Sequence, residues 1–246
     1  MSLAERVQSS IRAVNAAERE SVVAGRFTLY RSGASDHPYL NYAVPHPPAQ
    51  PVEDWDGIEE LRAAFAARGL QPRLEFVAER APGLEEALGA AGFVLQARIP
   101  VMTCPAEDLR EVPPPEGVVI ARVFGGPDVR PMMEVQSAAF GEGPPSDAAI
   151  RAYRGRGLLA RADGVPAGTA SRSAIAEGVS EIGGVGVLER FRRRGIAAAL
   201  TAAVAGEAFA EGAQLCFLTP GDEGAERVYA RAGFARAGTT MVHMIG

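Results

Sequence analysis

Two stretches of the chain show the same order of apolar patterns. In the first stretch, the spacing predicts helices at 2–18, 56–67 and 83–91, and strands at 25–32, 39–44, 73–78 and 93–103. In the second, it predicts strands at 118–123, 158–162, 167–175, 181–188, 215–219 and 234–245, and helices at 128–140, 147–156, 195–211 and 224–232. Each stretch ends on a helix closed by glycine (Gly69, Gly212), a strand, a short alanine-rich helix and a Gly-Phe pair (Gly92-Phe93, Gly233-Phe234). This order predicts a duplicated fold.

A proline-rich segment separates the two stretches. Pro105 and the run Pro113 to Pro115 leave little room for a helix or an inner strand between residues 104 and 117. We therefore predict a domain at 1–104, a linker at 105–117 and a second domain at 118–246.

Composition narrows the class of protein. The chain has 246 residues, 47% of them hydrophobic, which is ample for buried cores. A net charge of −5 argues against a nucleic-acid binder. We expect no membrane span, because no run reaches 18 apolar residues, and no signal peptide. Cys104 and Cys216 lie in apolar runs and are predicted to be unbridged, as in a cytoplasmic protein. No spacing of His or Cys indicates a metal, and His243 is predicted to be structural.

The segment from Glu181 to Glu211 carries the strongest candidate chemistry. It reads as a strand, a turn with the three arginines Arg192 to Arg194, Gly195 and then a long helix. The start of a helix presents unpaired N–H groups and a partial positive charge, and arginines add full charges. Gly195 permits close approach of the backbone to a ligand. These features predict a site for a phosphate-bearing ligand.

Two spaced motifs in this half resemble the GNAT superfamily of N-acetyltransferases. The first is Arg192-x-x-Gly195-x-Ala197 after a strand that carries Val185 and Val187. The second is Asp222-x-x-Ala225-x-x-x-Tyr229-x-x-x-Gly233-Phe234, in which Asp replaces the commoner Asn. The resemblance covers residues 118–246 and implies an α/β fold: two GNAT-like domains in tandem, each a central, mostly antiparallel twisted sheet with flanking helices.

The resemblance also implies acetyl-CoA as the acyl donor and a set of residues that would bind it. These are Val185, Gly186, Val187, Arg192, Arg193, Arg194, Gly195, Ile196, Ala197, Asp222 and Ala225. The Val185 N–H is predicted to stabilise the oxyanion, Tyr229 to protonate the departing thiolate, and Glu181 to act as base. Two alternatives stay open at this point. Tyr229 shares a helix face with Ala225 and other apolar residues and could be a core residue, and Glu181 could be a solvated strand end.

The first half lacks these features. Leu88 stands opposite Tyr229 when the Gly-Phe pairs are aligned, and Asp54 and Asp56 stand where the arginines would be. We therefore predict a degenerate N-terminal copy and one acetyl-CoA site per chain. The predicted function is N-acetylation of a primary amine of a small molecule or peptide, by a monomer or homodimer that binds no nucleic acid. Alternatives are an inactive acyl-CoA-binding regulatory module and another α/β phosphate binder, for which no Gly-rich nucleotide motif is found.

Overall fold

The computed structural model describes residues 1–33, 38–46 and 55–246. The helices in these ranges are α1 (Leu3–Glu18), α2 (Ile58–Ala66), α3 (Leu84–Ala90), α4 (Val129–Phe140), α5 (Asp147–Arg151), α6 (Ile196–Ala210) and α7 (Glu223–Arg231). The strands are β1 (Glu20–Ala24), β2 (Phe27–Arg31), β3 (Tyr42–Pro45), β4 (Arg73–Val77), β5 (Val94–Pro105), β6 (Val118–Val123), β7 (Gly157–Ala162), β8 (Val165–Arg172), β9 (Val179–Val187), β10 (Leu215–Leu218) and β11 (Ala235–Ile245). No described helix is both long enough and apolar enough to cross a membrane.

The first of two compact units contains Met1–Val101 together with Arg236–Gly246. Its strands pair in the order β1-β2-β3-β4-β11, and among the described strands of this unit only β3 and β4 are parallel. The core includes the buried residues Phe27, Leu61, Phe65, Leu74, Phe76, Leu88 and Val242. Within this unit the Arg73 guanidinium lies 3.2 Å from His243 Nδ1 and 3.0 Å from the Glu75 carboxylate. Burial lowers the pKa of His243, and its contacts are those of a structural histidine.

The second unit contains Met102–Ala235. Its strands pair in the order β6-β7-β8-β9-β10-β5, and only β9 and β10 are parallel. Helix α6 contacts β7, β8, β9 and β10 and is buried along most of its length. Cys104 and Cys216 are register partners on β5 and β10; both thiols are buried and unbridged, and burial raises their pKa values to about 11 and about 12.

The two units have the same sheet pattern, which matches the mixed α/β fold and the repeat expected from the sequence. Strands β1 to β4 of the first unit correspond in order and direction to β7 to β10 of the second. The strand that closes each pattern comes from the other half of the chain, since β11 pairs with β4 and the end of β5 pairs with β10.

Three elements differ from the predictions. Strand β5, predicted to end at residue 103, continues to Pro105, because Cys104 and Pro105 are register partners of Cys216 and Leu215 on β10. Strand β1, at the edge of its unit, was not predicted because most of its residues are exposed and no apolar alternation marks it. Helix α5, predicted to reach residue 156, ends at Arg151, because the Tyr153 side chain turns into hydrogen bonds with Val123 O and Gly157 N.

The predicted linker segment is part of the second unit and packs on its other elements. The Arg110 amide donates to Ala232 O, Leu109 approaches α6 at Gly206, and Pro115 lies beside Gly195. Gly233 is required where this segment passes, because a Cβ there would lie 2.1 Å from Asp108 O and φ is +103°. The boundaries 1–104, 105–117 and 118–246, as limits of separately folding domains, stay a prediction.

Candidate active site

Strand β9 is paired with its parallel neighbour β10 over only the first part of its length. Its parallel partner β10 is in register only at Val179, Ser180 and Glu181. From Ile182 to Val187 the described part of the chain provides no ladder partner on that side, so this edge of the strand is open. On its other side, β9 pairs with β8 from Ile182 to Val187, with one irregularity between Thr169 and Ser171. An open strand edge is suited to bind an extended, amide-rich ligand by added-strand hydrogen bonds.

Each of the three glycines of β9 is explained by a different feature of its surroundings. A Cβ on Gly186 would lie 2.7 Å from the Ala139 Cβ, so this glycine allows α4 to pack on the strand. Gly184 has φ +60°, a conformation that L side chains rarely adopt. A Cβ on Gly183 would meet nothing within 4 Å. Of the three, only Gly183 therefore borders open space.

The segment that follows β9 forms a tight turn into α6. Glu189–Phe191 is a short 3₁₀ turn, Arg193 has φ +62°, and Gly195 caps the helix in the left-handed region with φ +88°. No side chain in the described ranges caps the start of α6, and the first backbone bond of the helix is Ala199 N to Gly195 O at 3.2 Å. The N–H groups of the first turn are therefore available to an anion.

The three arginines of the turn have different surroundings. The Arg192 Nε donates to Val187 O at 3.1 Å and a terminal nitrogen donates to Ala139 O at 3.4 Å. Arg192 thus ties the end of β9 to α4, and much of its donor capacity is used by the protein. Arg193 and Arg194 are exposed and form no ion pair with a described residue, so their charges are free to act on a ligand.

Helix α7 presents Tyr229. The side chain packs against the core of the second unit and is half-buried, and its hydroxyl has no hydrogen-bond partner among the described residues. Burial raises the pKa of Tyr229, and the charge of Asp222 raises it further. A phenol with a raised pKa stays protonated at neutral pH and can donate a proton.

Asp222 begins this helix. Its Oδ1 accepts a hydrogen bond from the Ala225 amide at 2.7 Å, so it is the N-cap of α7. The structure therefore gives Asp222 and Ala225 a local role that fixes the start of the helix carrying Tyr229. Their predicted contact with acetyl-CoA stays a prediction.

Glu181 is the last residue of β9 that is in register with β10, where its partner is Phe217. Its amide donates to Ser173 Oγ at 2.9 Å, and its carbonyl accepts from the Ser173 amide at 2.8 Å. The residue is partly exposed where the two strands separate. This placement is compatible with the predicted role as a base, which stays a prediction.

Most of the predicted residues lie on two consecutive segments, the open edge of β9 and the turn into α6. Val185, Gly186 and Val187 lie on the open edge, and Arg192 to Ala197 form the turn and the first turn of α6. The side chains of Val187 and Ile196 are buried, so these two residues would contribute backbone groups only. No described group of His, Cys, Asp and Glu side chains could hold a metal ion.

Two residues beside the open edge of β9 were not predicted to belong to the site. Ser171 and Gln136 lie beside Gly184, where a Cβ would be 2.9 Å from Ser171 Oγ and 3.2 Å from the Gln136 side chain. The Gly183-Gly184 pair signals a backbone irregularity in the sequence. Nothing in the sequence indicates which side chains support it, because they come from β8 and α4.

In the first unit, the start of α2 is the position equivalent to the start of α6, and another part of the backbone lies against it. Gly57 caps α2 with φ +86°, as Gly195 caps α6. A Cβ on Gly57 would lie 2.7 Å from the Gly25 Cα, whereas one on Gly195 meets only Pro115 at 3.7 Å. Asp56 forms an ion pair with Arg26, and Asp54 lies outside the described residues. The chain itself thus occupies the approach to α2.

Comparison with known proteins identifies relatives. The model of the acetyltransferase (GNAT) family matches residues 129–234. A GCN5-related N-acetyltransferase from Kribbella flavida is 34% identical, with 100% of this chain and 96% of that chain covered and a TM-score of 0.81. A GCN5-related N-acetyltransferase from Sphaerobacter thermophilus is 21% identical, with 99% and 89% covered and a TM-score of 0.68. A tandem GNAT protein from the clavulanic acid biosynthesis pathway shares the fold at 18% identity, with 91% and 79% covered and a TM-score of 0.58. A search of curated proteins gave no significant match.

Proposed function

The chain belongs to the GNAT family of acetyltransferases, and from that premise we propose that it transfers an acetyl group from acetyl-CoA to a primary amine of a small molecule or peptide. The observation that carries the proposal is the continuity of the open β9 edge with the uncapped start of α6. The pantetheine amides would bind along the edge, and the pyrophosphate would bind the amides of the first turn of α6.

The charges around the turn support the same assignment. Arg193 and Arg194 are exposed beside the start of α6 and would add charge-assisted contacts to the pyrophosphate. Arg192 would act mainly by holding the end of β9 against α4. The binding site then combines backbone donors fixed by secondary structure with two exposed cations.

Transfer requires an oxyanion donor, an acid and a route for the amine proton. The Val185 N–H on the open edge would stabilise the oxyanion that forms when the amine attacks the thioester. Tyr229 would protonate the departing CoA thiolate, since its phenol has a raised pKa and is protonated at neutral pH. Glu181, where β9 and β10 separate, would accept the amine proton directly or through water.

CoA release from acetyl-CoA, measured over a panel of primary amines, tests the proposal. We expect turnover with at least one amine and a loss of about a hundredfold in kcat for Tyr229→Phe, with little change in thermal stability. The chain contains no lysine, so acetylation of its own lysine side chains cannot contribute to the signal.

Tyr153→Phe is the matched control. Its hydroxyl donates to Val123 O at 2.6 Å and accepts from the Gly157 amide at 2.7 Å, so the loss should lower stability and leave kcat nearly unchanged. Binding of acetyl-CoA without CoA release for every amine would favour an inactive acyl-CoA-binding module over the proposed enzyme.

A further inference from the structure

The backbone of β9 contains a bulge immediately before Val185. Thr169 is in register with Gly186 and Ser171 with Gly183, so Ala170 of β8 stands opposite the two residues Gly184 and Val185. An extra residue in one strand interrupts the ladder and bends the strand locally. The bulge therefore determines the direction of the peptide group between Gly184 and Val185, which carries the Val185 N–H.

The Ser171 side chain supports both residues that precede Val185. Its Oγ donates to Gly183 O at 3.1 Å, a carbonyl located where the regular ladder is interrupted. The same Oγ would lie 2.9 Å from a Cβ on Gly184, so the hydroxyl fills the space that a side chain at this position would occupy. The Gln136 amide borders the same space from α4, with its Cδ 3.2 Å from that Cβ position.

From this arrangement we propose that Ser171 is a positioning residue for acetyl transfer, whose hydroxyl holds the β9 bulge so that the Val185 N–H is directed at the thioester oxygen. The inference rests on the proposed function. Ser171 touches Gly183 and the space beside Gly184, so it acts on the reaction through the Val185 peptide. Loss of its hydroxyl removes this bond to the Gly183 carbonyl and lets the bulge relax. Misalignment of an oxyanion donor lowers the rate of the chemical step more than the binding of the donor substrate.

The test compares Ser171→Ala and Ser171→Thr with the wild-type chain. We expect Ser171→Ala to lower kcat about tenfold, while the Kd for acetyl-CoA, measured by calorimetry, changes less than twofold. Ser171→Thr retains the hydroxyl and should recover kcat to within about threefold of wild type. Ser171→Cys preserves the shape and weakens the donor, so it replaces Ser171→Ala if that variant does not fold and should also lower kcat at least fivefold.

Tyr153→Phe is the control here too, because it removes a partly buried hydroxyl that donates to Val123 O at 2.6 Å in the same unit and away from the bulge. Its kcat should remain within twofold of wild type. A kcat of Ser171→Ala less than fivefold below wild type overturns the inference and leaves the proposed function intact. A parallel loss of kcat, acetyl-CoA affinity and melting temperature overturns it too, because such a loss indicates general damage. Absence of turnover in the wild-type chain overturns both proposals.

Discussion

Asp222 has two effects: its side chain caps helix α7, and its charge raises the pKa of Tyr229. Two substitutions at this residue separate the capping effect from the charge effect. Asp222→Asn removes the charge and keeps a side-chain oxygen that can accept from the Ala225 amide. Asp222→Ala removes both. Since burial raises the pKa of Tyr229 first and the Asp222 charge raises it second, either variant should lower that pKa, which burial still keeps above its ordinary value.

The expected magnitudes follow from the geometry of the cap. Asp222 has an extended backbone, φ −160° and ψ 175°, and its Oδ1 accepts from the Ala225 amide at 2.7 Å. Loss of such an N-cap costs about 1 kcal/mol, which lowers the melting temperature by roughly 2–4 °C in a chain of this size. Asn caps nearly as well as Asp, and only a helix-dipole contribution of about 0.3–1 kcal/mol is reduced.

The assay is the pH dependence of kcat/KM for CoA release together with thermal denaturation. If Tyr229 is the acid, the rate falls at high pH as its hydroxyl ionises, and this alkaline limb should move to lower pH in both variants. Only Asp222→Ala should also show the loss of melting temperature. An alkaline limb that stays in place in both variants, or that persists in Tyr229→Phe, would refute the assignment of the acid.

Two further substitutions test the anion site and the packing beneath it. Arg194→Glu should weaken acetyl-CoA binding at least tenfold, about 1.4 kcal/mol, when the Kd is measured by calorimetry at low salt. The control Arg231→Glu, at the exposed end of α7, should change the Kd less than twofold. Equal effects of the two substitutions would contradict the assigned pyrophosphate position. Gly233→Ala should destabilise the chain by roughly 3 kcal/mol or more, because the new Cβ would lie 2.1 Å from Asp108 O and φ is +103°. Gly212→Ala has the same backbone strain, φ +101°, with nothing within 4 Å of the Cβ, so it should cost only about 1 kcal/mol in chemical denaturation; equal losses would show that the contact with Asp108 is unimportant.

Residues close together in the chain made the elements of the candidate site predictable. The apolar periodicity located α6 and α7 to within two residues, because both helices have sharp starts at Gly195 and Asp222. The Arg-rich turn marked the start of α6, and the spacing from Asp222 to Tyr229 placed the predicted acid on α7. Each of these features depends on residues close together in the chain.

The parts that escaped prediction depend on contacts distant in the chain. Arg192 was predicted to bind the ligand, but its guanidinium also bonds Ala139 O, 53 residues earlier. Similarly, the role of Asp222 as a cap became clear only from the conformation of its backbone. The exchange of closing strands between the two halves could not be predicted, because apolar patterns show that β5 and β11 exist and do not show which strands they pair with.

Hydrogen exchange of the full-length chain with and without acetyl-CoA tests the central claim most directly. We predict that acetyl-CoA slows exchange in peptides covering Val185–Val187 and the start of α6, because these amides would bind pantetheine and pyrophosphate. Peptides covering β3 and α2, the equivalent elements of the first unit, should be unchanged, since the backbone at Gly25 closes the start of α2. Protection of β3 and α2, or no protection around Val185 and Gly195 at saturating acetyl-CoA, would contradict the account.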